Sequence, residues 1–174
     1  MKSLILNVGS SSIKYSIFDD NKRVLKEEIK KIGISNIKTY EQAIDIILKK
    51  TKNYKIDVIA HRIVHGLDLR KPSVINNKVI KKIEDASKFA PLHNPYELKV
   101  IKICLKKFKQ KQIAVFDTEF FKDLPDYAKK YPIPESLAKK YKIERYGFHG
   151  LSHEYLLKES KKLLKINNLN IITC

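Results

Sequence analysis

SLILNVGSSSIKYSIF, residues 3–18, decides the fold. Apolar residues flank Gly9-Ser10-Ser11-Ser12 on both sides, so the stretch predicts two strands, 3–8 and 13–18, folded back on each other around a polar turn. After a second turn at Asp19-Asp20-Asn21 a third strand is predicted over 23–32, which makes the opening an antiparallel meander. The period then changes. Ala43, Ile44, Ile46, Ile47 and Leu48 crowd one side of a helix over 40–50, whereas DVIAHRIV (57–64) is a short β-branched run of the kind found in buried strands. Helices are predicted over 77–88 and 95–108, with another buried strand at 112–116. Prolines 125, 132 and 134 mark an irregular connection, followed by helices at 135–141 and 151–164 and the beginning of a strand at 169–173. An antiparallel opening joined to parallel crossovers is an α/β chain with a mixed sheet and flanking helices.

Composition narrows the function classes. Of 174 residues 43% are apolar, enough for a packed core, which disfavours a disordered chain or a disulfide scaffold. No run of about 18 apolar residues and no secretory signal pattern is present, so the expected location is cytoplasmic, without membrane association. Cys104 and Cys174 are too few for a thiolate metal site, in keeping with a reducing compartment. The net charge of +17 invites a nucleic-acid reading. However, nearly all the excess is Lys, and base-reading proteins lean on Arg forks and exposed aromatics, so no nucleic-acid partner is expected. A Lys-rich surface still favours anionic ligands.

Five segments could carry chemistry. Gly9-Ser10-Ser11-Ser12 with Lys14 offers backbone N–H groups, hydroxyls and a cation to a phosphate, although an ordinary polar hairpin would read the same way. It lacks the second Gly and the following helix of a Walker A loop. In His61-Arg62-Ile63-Val64-His65-Gly66, Arg62 on an apolar strand needs an anion, either a ligand or a structural partner. His61 and His65 would share a strand face, and His149 and His153 lie four apart on a helix. Neither pair has the intervening Glu of a HExxH zinc site, so no metal is assigned to them. Ala90-Pro91-Leu92-His93-Asn94-Pro95 presents His93 and Asn94 ahead of a helix. Asp117, after Phe116, is a turn or capping residue, or else a Mg²⁺ ligand or base. Finally, His149 stands between Gly147-Phe148 and Gly150 at a helix start.

Taken in order, NVGSSSIKYS, HRIVHG, APLHNP, VFDTEF, PDYAKKYPIP and RYGFHGLSH resemble the N-terminal half of the acetate kinase family, which is similar in fold to actin, sugar kinases and heat-shock chaperones. The resemblance implies a ribonuclease-H-like (actin-like ATPase) sheet, with a first domain over 1–116 and an incomplete second domain over 117–174. It implies reversible phosphoryl transfer from ATP to acetate, with Mg²⁺ as cofactor and a homodimer as the full-length enzyme. Position by position, Asn7 would help hold Mg²⁺, and Ser10, Ser12 and Lys14 would bind the ATP phosphates. Arg62 would bind the substrate carboxylate, and Val64, Leu92 and Phe148 would line the methyl pocket. His93 and His149 would contact the transferring phosphoryl group.

Asp117 resembles the family's active-site carboxylate. Acetate is already ionised at pH 7 and needs no general base, so Asp117 is better read as a Mg²⁺ partner than as a base. Leu67 stands where the family usually has a second Gly, and Arg70 where an aromatic is expected, which bears on acyl-chain specificity. Relatives are more than twice as long, and their adenosine-binding segments, a second Arg and a Mg²⁺-associated Glu fall outside these residues. The expectation is therefore a fragment inactive by itself, the alternatives being a propionate or butyrate kinase relative, or a non-catalytic remnant that binds a partner or anion.

Overall fold

In the computed structural model, which describes residues 1–174, the opening stretch forms β1 (Lys2–Val8) and β2 (Ile13–Asp19). They pair antiparallel from Lys2 opposite Asp19 to Val8 opposite Ile13, and β3 (Lys22–Ile29) pairs antiparallel with β2. β3 is shorter than the predicted 23–32. Lys31 adopts a left-handed φ of 57°, and the Ile32 N–H bonds Ser11 O at 2.9 Å, so the chain leaves the ladder for the β1–β2 turn. β4 (Val58–Ile63) runs parallel to β1, and β6 (Lys111–Phe116) parallel to β4, with the two-residue β5 (Ser73–Val74) antiparallel at the edge. The order is β3-β2-β1-β4-β6-β5.

Three helices connect these strands: α1 (Tyr40–Thr51), α2 (Asn77–Ala86) and α3 (Asn94–Lys107). The start of α1 is set by a capping box, with the Gln42 N–H donating to Thr39 Oγ1 while Gln42 Oε1 accepts from the Thr39 N–H. All three cover one face of the sheet. Leu4, Leu6, Val8, Ile13, Tyr15, Ile17 and Ile59 pack with Ala43, Ile44 and Ile47 of α1 and Val100, Ile103 and Cys104 of α3. Ile63, Ala114 and Phe116 pack with Val79 and Ile83 of α2 and Leu98 and Ile101 of α3. Each Val, Leu, Ile or Phe among them contributes roughly 1.5–3 kcal/mol on burial. Because side chains alternate along a strand, Ile5, Asn7, Lys14, Ala60, Arg62 and Val115 point the other way, and none of them is fully buried. The sheet and its helices make up one compact unit, Met1–Phe116.

Asp117–Cys174 is a second unit. A 3-10 turn over Glu119–Phe121 leads to α4 (Asp126–Lys129), α5 (Glu135–Tyr141) and α6 (Gly150–Leu164). Pro125 and Pro134 occupy the N-cap positions of α4 and α5, where a missing N–H costs nothing. Pattern reading left α4 inside the irregular connection, since four residues show no period. The strand expected at 169–173 is not formed. A strand needs a neighbour for its backbone groups, and these residues have no ladder; Ile172 is 91% exposed, and Thr173 Oγ1 lies 2.7 Å from His153 Nδ1 of α6.

Candidate active site

Register builds the first part of the site. Asn7 stands directly opposite Lys14 across β1 and β2, so their side chains share a face. Leu6 is in register with His61 across β1 and β4, which brings the next pair, Asn7 and Arg62, together; the Arg62 guanidinium donates to Asn7 Oδ1 at 3.1 Å. Lys14, Asn7 and Arg62 thus form one row across three adjacent strands, on the face that no helix of their unit covers. The Gly9–Ser12 turn closes the end of this row. Its own bond, Gly9 N–H to Ser12 O at 2.8 Å, makes it tight. A Cβ on Gly9 would lie 3.2 Å from Ser12 Oγ, so the bare glycine gives the serine hydroxyl its room.

The segment after Arg62 is held by α3. Past Ile63 the parallel ladder ends, and the first turn of α3 supplies the missing partners. Val64 N–H donates to Glu97 Oε2 at 3.1 Å, His65 N–H to Asn94 Oδ1 at 3.2 Å, and Asn94 Nδ2 donates back to His65 O at 2.8 Å and to Ile83 O at 3.1 Å. Asn94 is fully buried, so the loop expected to present it turns it inward instead. His93 is exposed as the N-cap of α3, and Leu92 is 73% exposed, whereas Val64 is buried. Next comes Gly66, where a Cβ would sit 2.5 Å from the Phe116 ring. Leu67 then adopts a left-handed φ of 56°, with its N–H on His65 Nδ1 at 3.0 Å. That backbone suits the Gly expected there; Leu takes it while burying its side chain.

His61 and His65 do not share a strand face. His61 points into the core against Gln112, Nε2 to Oε1 at 2.8 Å, and burial drives its pKa down from 6.5 to about 4. His65 lies beyond the end of β4 and stacks on Phe89, ring centroids 5.3 Å apart.

In the second unit, Asp117 and Thr118 are both buried. Gly150 N–H donates to Asp117 O at 2.8 Å, and a Cβ on Gly150 would meet that oxygen at 2.3 Å. Only glycine therefore lets the start of α6 lie against Asp117. His149, the N-cap of α6, has a left-handed φ of 57° and is exposed, as is Phe148. Gly147 has a φ of 73° and leaves space filled by the Phe121 ring. Both glycines around His149 thus permit a close approach, and Gly147 also supplies a left-handed turn.

The structure brings Asn7, Ser10, Ser12, Lys14, Arg62 and Val64 onto neighbouring strand ends of the first unit, and gathers Asp117, Phe148 and His149 around the start of α6 in the second. Sequence reading missed Asn94 and Glu97 as strand-end partners, and Tyr40, whose hydroxyl bonds Gly9 O at 2.6 Å.

Comparison with known proteins gives a consistent result. The family model described as "Acetokinase family" matches residues 21–174. The chain is 40% identical to the acetate kinase of Thermoanaerobacter pseudethanolicus, covering 100% of this chain and 52% of that protein. It is 41% identical to the acetate kinase of Buchnera aphidicola subsp. Cinara cedri, covering 98% and 50%. Among solved structures, it superimposes on acetate kinase from Porphyromonas gingivalis with a TM-score of 0.84 at 30% identity, covering 95% of this chain and 49% of that one. The propionate kinase from Francisella tularensis gives 0.86 at 30% identity, covering 97% and 50%. The chain spans about half the length of the curated relatives it matches.

Proposed function

Because this chain belongs to the acetokinase family, with the mixed α/β sheet of its relatives, we propose that the whole protein is an acetate kinase that transfers the γ-phosphoryl group of ATP to acetate, reversibly. The observation that carries this reading is the row Lys14–Asn7–Arg62 beside the Gly9–Ser12 turn, which sets two cations and an amide on one sheet face. A carboxylate oxygen of acetate attacks the γ-phosphorus and the bond from that phosphorus to ADP breaks, giving acetyl phosphate. No proton is moved, so the work of the protein is positioning and charge compensation. Arg62 binds the acetate carboxylate, while Ser10, Ser12 and Lys14 bind nucleotide phosphates. Val64, Leu92 and Phe148 contact the methyl end, and His93 and His149 offer donors to the equatorial oxygens of the transferring group.

Mg²⁺, the proposed cofactor, would supply charge neutralisation on the phosphates. The donor set fits it in kind. Asp117 is a hard carboxylate, and Asn7 Oδ1, with one lone pair engaged by Arg62, has a second for a metal-bound water. No group of three or more His, Cys, Asp and Glu that could hold a metal ion is present, and Mg²⁺ bound largely through nucleotide and water requires none. Residues 117–174 are proposed as the beginning of a second domain, the full-length enzyme as a cytoplasmic homodimer. No helix of the chain is long and apolar enough to cross a membrane.

A second reading shifts the substrate to propionate or butyrate. It is favoured by the likeness to a propionate kinase and by Leu67 in the turn beyond Arg62. The test is a hydroxamate assay of the full-length enzyme with acetate, propionate and butyrate. The highest kcat/KM for acetate is expected, a preference for a longer acid moves the assignment to that acid, and no acyl phosphate from any of them overturns the kinase reading in favour of a non-catalytic binding protein.

A further inference from the structure

Three carbonyls of the turn between β1 and β2 each accept a hydrogen bond, and one of the donors is a side chain. Ser12 O accepts from Gly9 N–H at 2.8 Å, Ser11 O from Ile32 N–H at 2.9 Å, and Gly9 O from the Tyr40 hydroxyl at 2.6 Å. In a planar trans peptide the C=O and the following N–H lie on opposite edges. Drawing the Gly9 carbonyl toward Tyr40 therefore turns the Ser10 N–H the other way, as the Ile32 contact does for the Ser12 N–H. N–H groups set by tethered carbonyls in this manner, here those of Ser10 and Ser12, can serve as donors to a bound anion.

We propose that Tyr40 is a positioning residue of the phosphate turn: its hydroxyl holds the Gly9 carbonyl and so aims the Ser10 amide at the phosphate chain of the nucleotide. The proposal rests on the reading of Ser10, Ser12 and Lys14 as the phosphate-binding loop. Tyr40 is suited to the task by where it stands. It is the first residue of α1, whose start the Thr39–Gln42 capping box holds in place, and it is 6% exposed. Its ring is kept by Tyr96, centroids 6.3 Å apart, and by Lys99 Nζ, 5.7 Å from the ring centre. Burial pushes its pKa up to about 12, so the hydroxyl remains a donor throughout the working range of a cytoplasmic enzyme. Strand pairing stops at Val8 and Ile13, and the one bond within the turn, Gly9 N–H to Ser12 O, leaves the Gly9 carbonyl to be held from outside, by Tyr40.

Tyr40→Phe removes one oxygen and keeps the ring contacts, so the fold has little reason to change. In the full-length enzyme, ATP dissociation constants by calorimetry and KM values for ATP and acetate are compared for wild type, Tyr40→Phe and Ser12→Ala. Loss of one aligned hydrogen bond predicts ATP binding and KM for ATP weakened roughly 3- to 10-fold in Tyr40→Phe. KM for acetate should stay within about twofold, a split that a general loss of structure would not produce. ATP affinity weakened in Ser12→Ala but unchanged in Tyr40→Phe overturns the positioning role and leaves the loop reading standing. Affinity unchanged in both overturns the loop reading and the Tyr40 proposal with it. An equal loss for both substrates in Tyr40→Phe makes Tyr40 merely structural and also rejects the proposal.

Discussion

A guanidinium on a strand of apolar neighbours costs free energy unless acceptors meet it, and Asn7 Oδ1 meets that of Arg62 from one side at 3.1 Å. A bound carboxylate would be a strong, charge-assisted partner for such a guanidinium. Arg62→Ala in the full-length enzyme should therefore lower kcat/KM for acetate by roughly 10- to 150-fold, the range expected for losing a hydrogen bond to a charged group. Steady-state kinetics check this; a folded variant within about threefold of wild type removes Arg62 from substrate binding. Arg62 was legible because its residue type clashes with its strand. Asn94 and Glu97 were not, since their hydrogen bonds reach residues about thirty positions away in sequence, at the end of β4.

At the scale of the element, β4 carries Arg62 of the proposed site on one face and a buried histidine on the other. His61 and Arg62 are neighbours in sequence, but alternation sends His61 into the core and Arg62 out of it. Burial depresses the pKa of His61 to about 4 from 6.5. The sign follows from the direction. Above pH 6.5 His61 is neutral folded or unfolded and adds no pH dependence; below it the unfolded chain takes up a proton that the folded chain refuses until about pH 4. Stability should thus fall with decreasing pH across that window, with a slope from this group approaching about 1.4 kcal/mol per unit. Urea denaturation at pH 7, 6, 5 and 4 measures it, compared with His61→Gln, which cannot titrate. Equal slopes in the two proteins would assign the pH dependence to other groups. The paired histidines suggested a shared face on β4 because the end of the strand at Ile63 cannot be read from the apolar run, which continues through Val64.

At the scale of the whole molecule, the chain spans about half the length of its relatives, while phosphoryl transfer draws its acceleration from groups surrounding the reacting phosphate. Residues 1–174 alone should accordingly make no acetyl phosphate. The hydroxamate assay is run on the purified chain with and without a separately expressed polypeptide corresponding to the remainder of a full-length relative. Activity only on mixing is the expected result, and turnover by the chain alone, above a His149→Ala control, refutes it. In the second unit Tyr127, Leu163 and Ile172 are each more than four-fifths exposed. Apolar surface of this kind favours association, which the +17 charge opposes.

The amino-acid sequence by itself determined the antiparallel opening, the switch to parallel strands, the places of α1, α2, α3, α5 and α6, and the family, because these depend on local period, turn chemistry and ordered motifs. It also marked Arg62 as out of keeping with its apolar strand and singled out Asp117 and His149 as candidates. Only the tertiary structure decided that Lys14, Asn7 and Arg62 share one row, since register across strands depends on which segments pair. The same holds for Asn94 at the end of β4 and for Tyr40 under the Gly9 carbonyl, contacts between segments that no local pattern connects. The strand expected at 169–173 shows the converse. A strand forms only when another backbone meets its N–H and C=O groups, so an apolar run supplies the propensity and a neighbour supplies the structure.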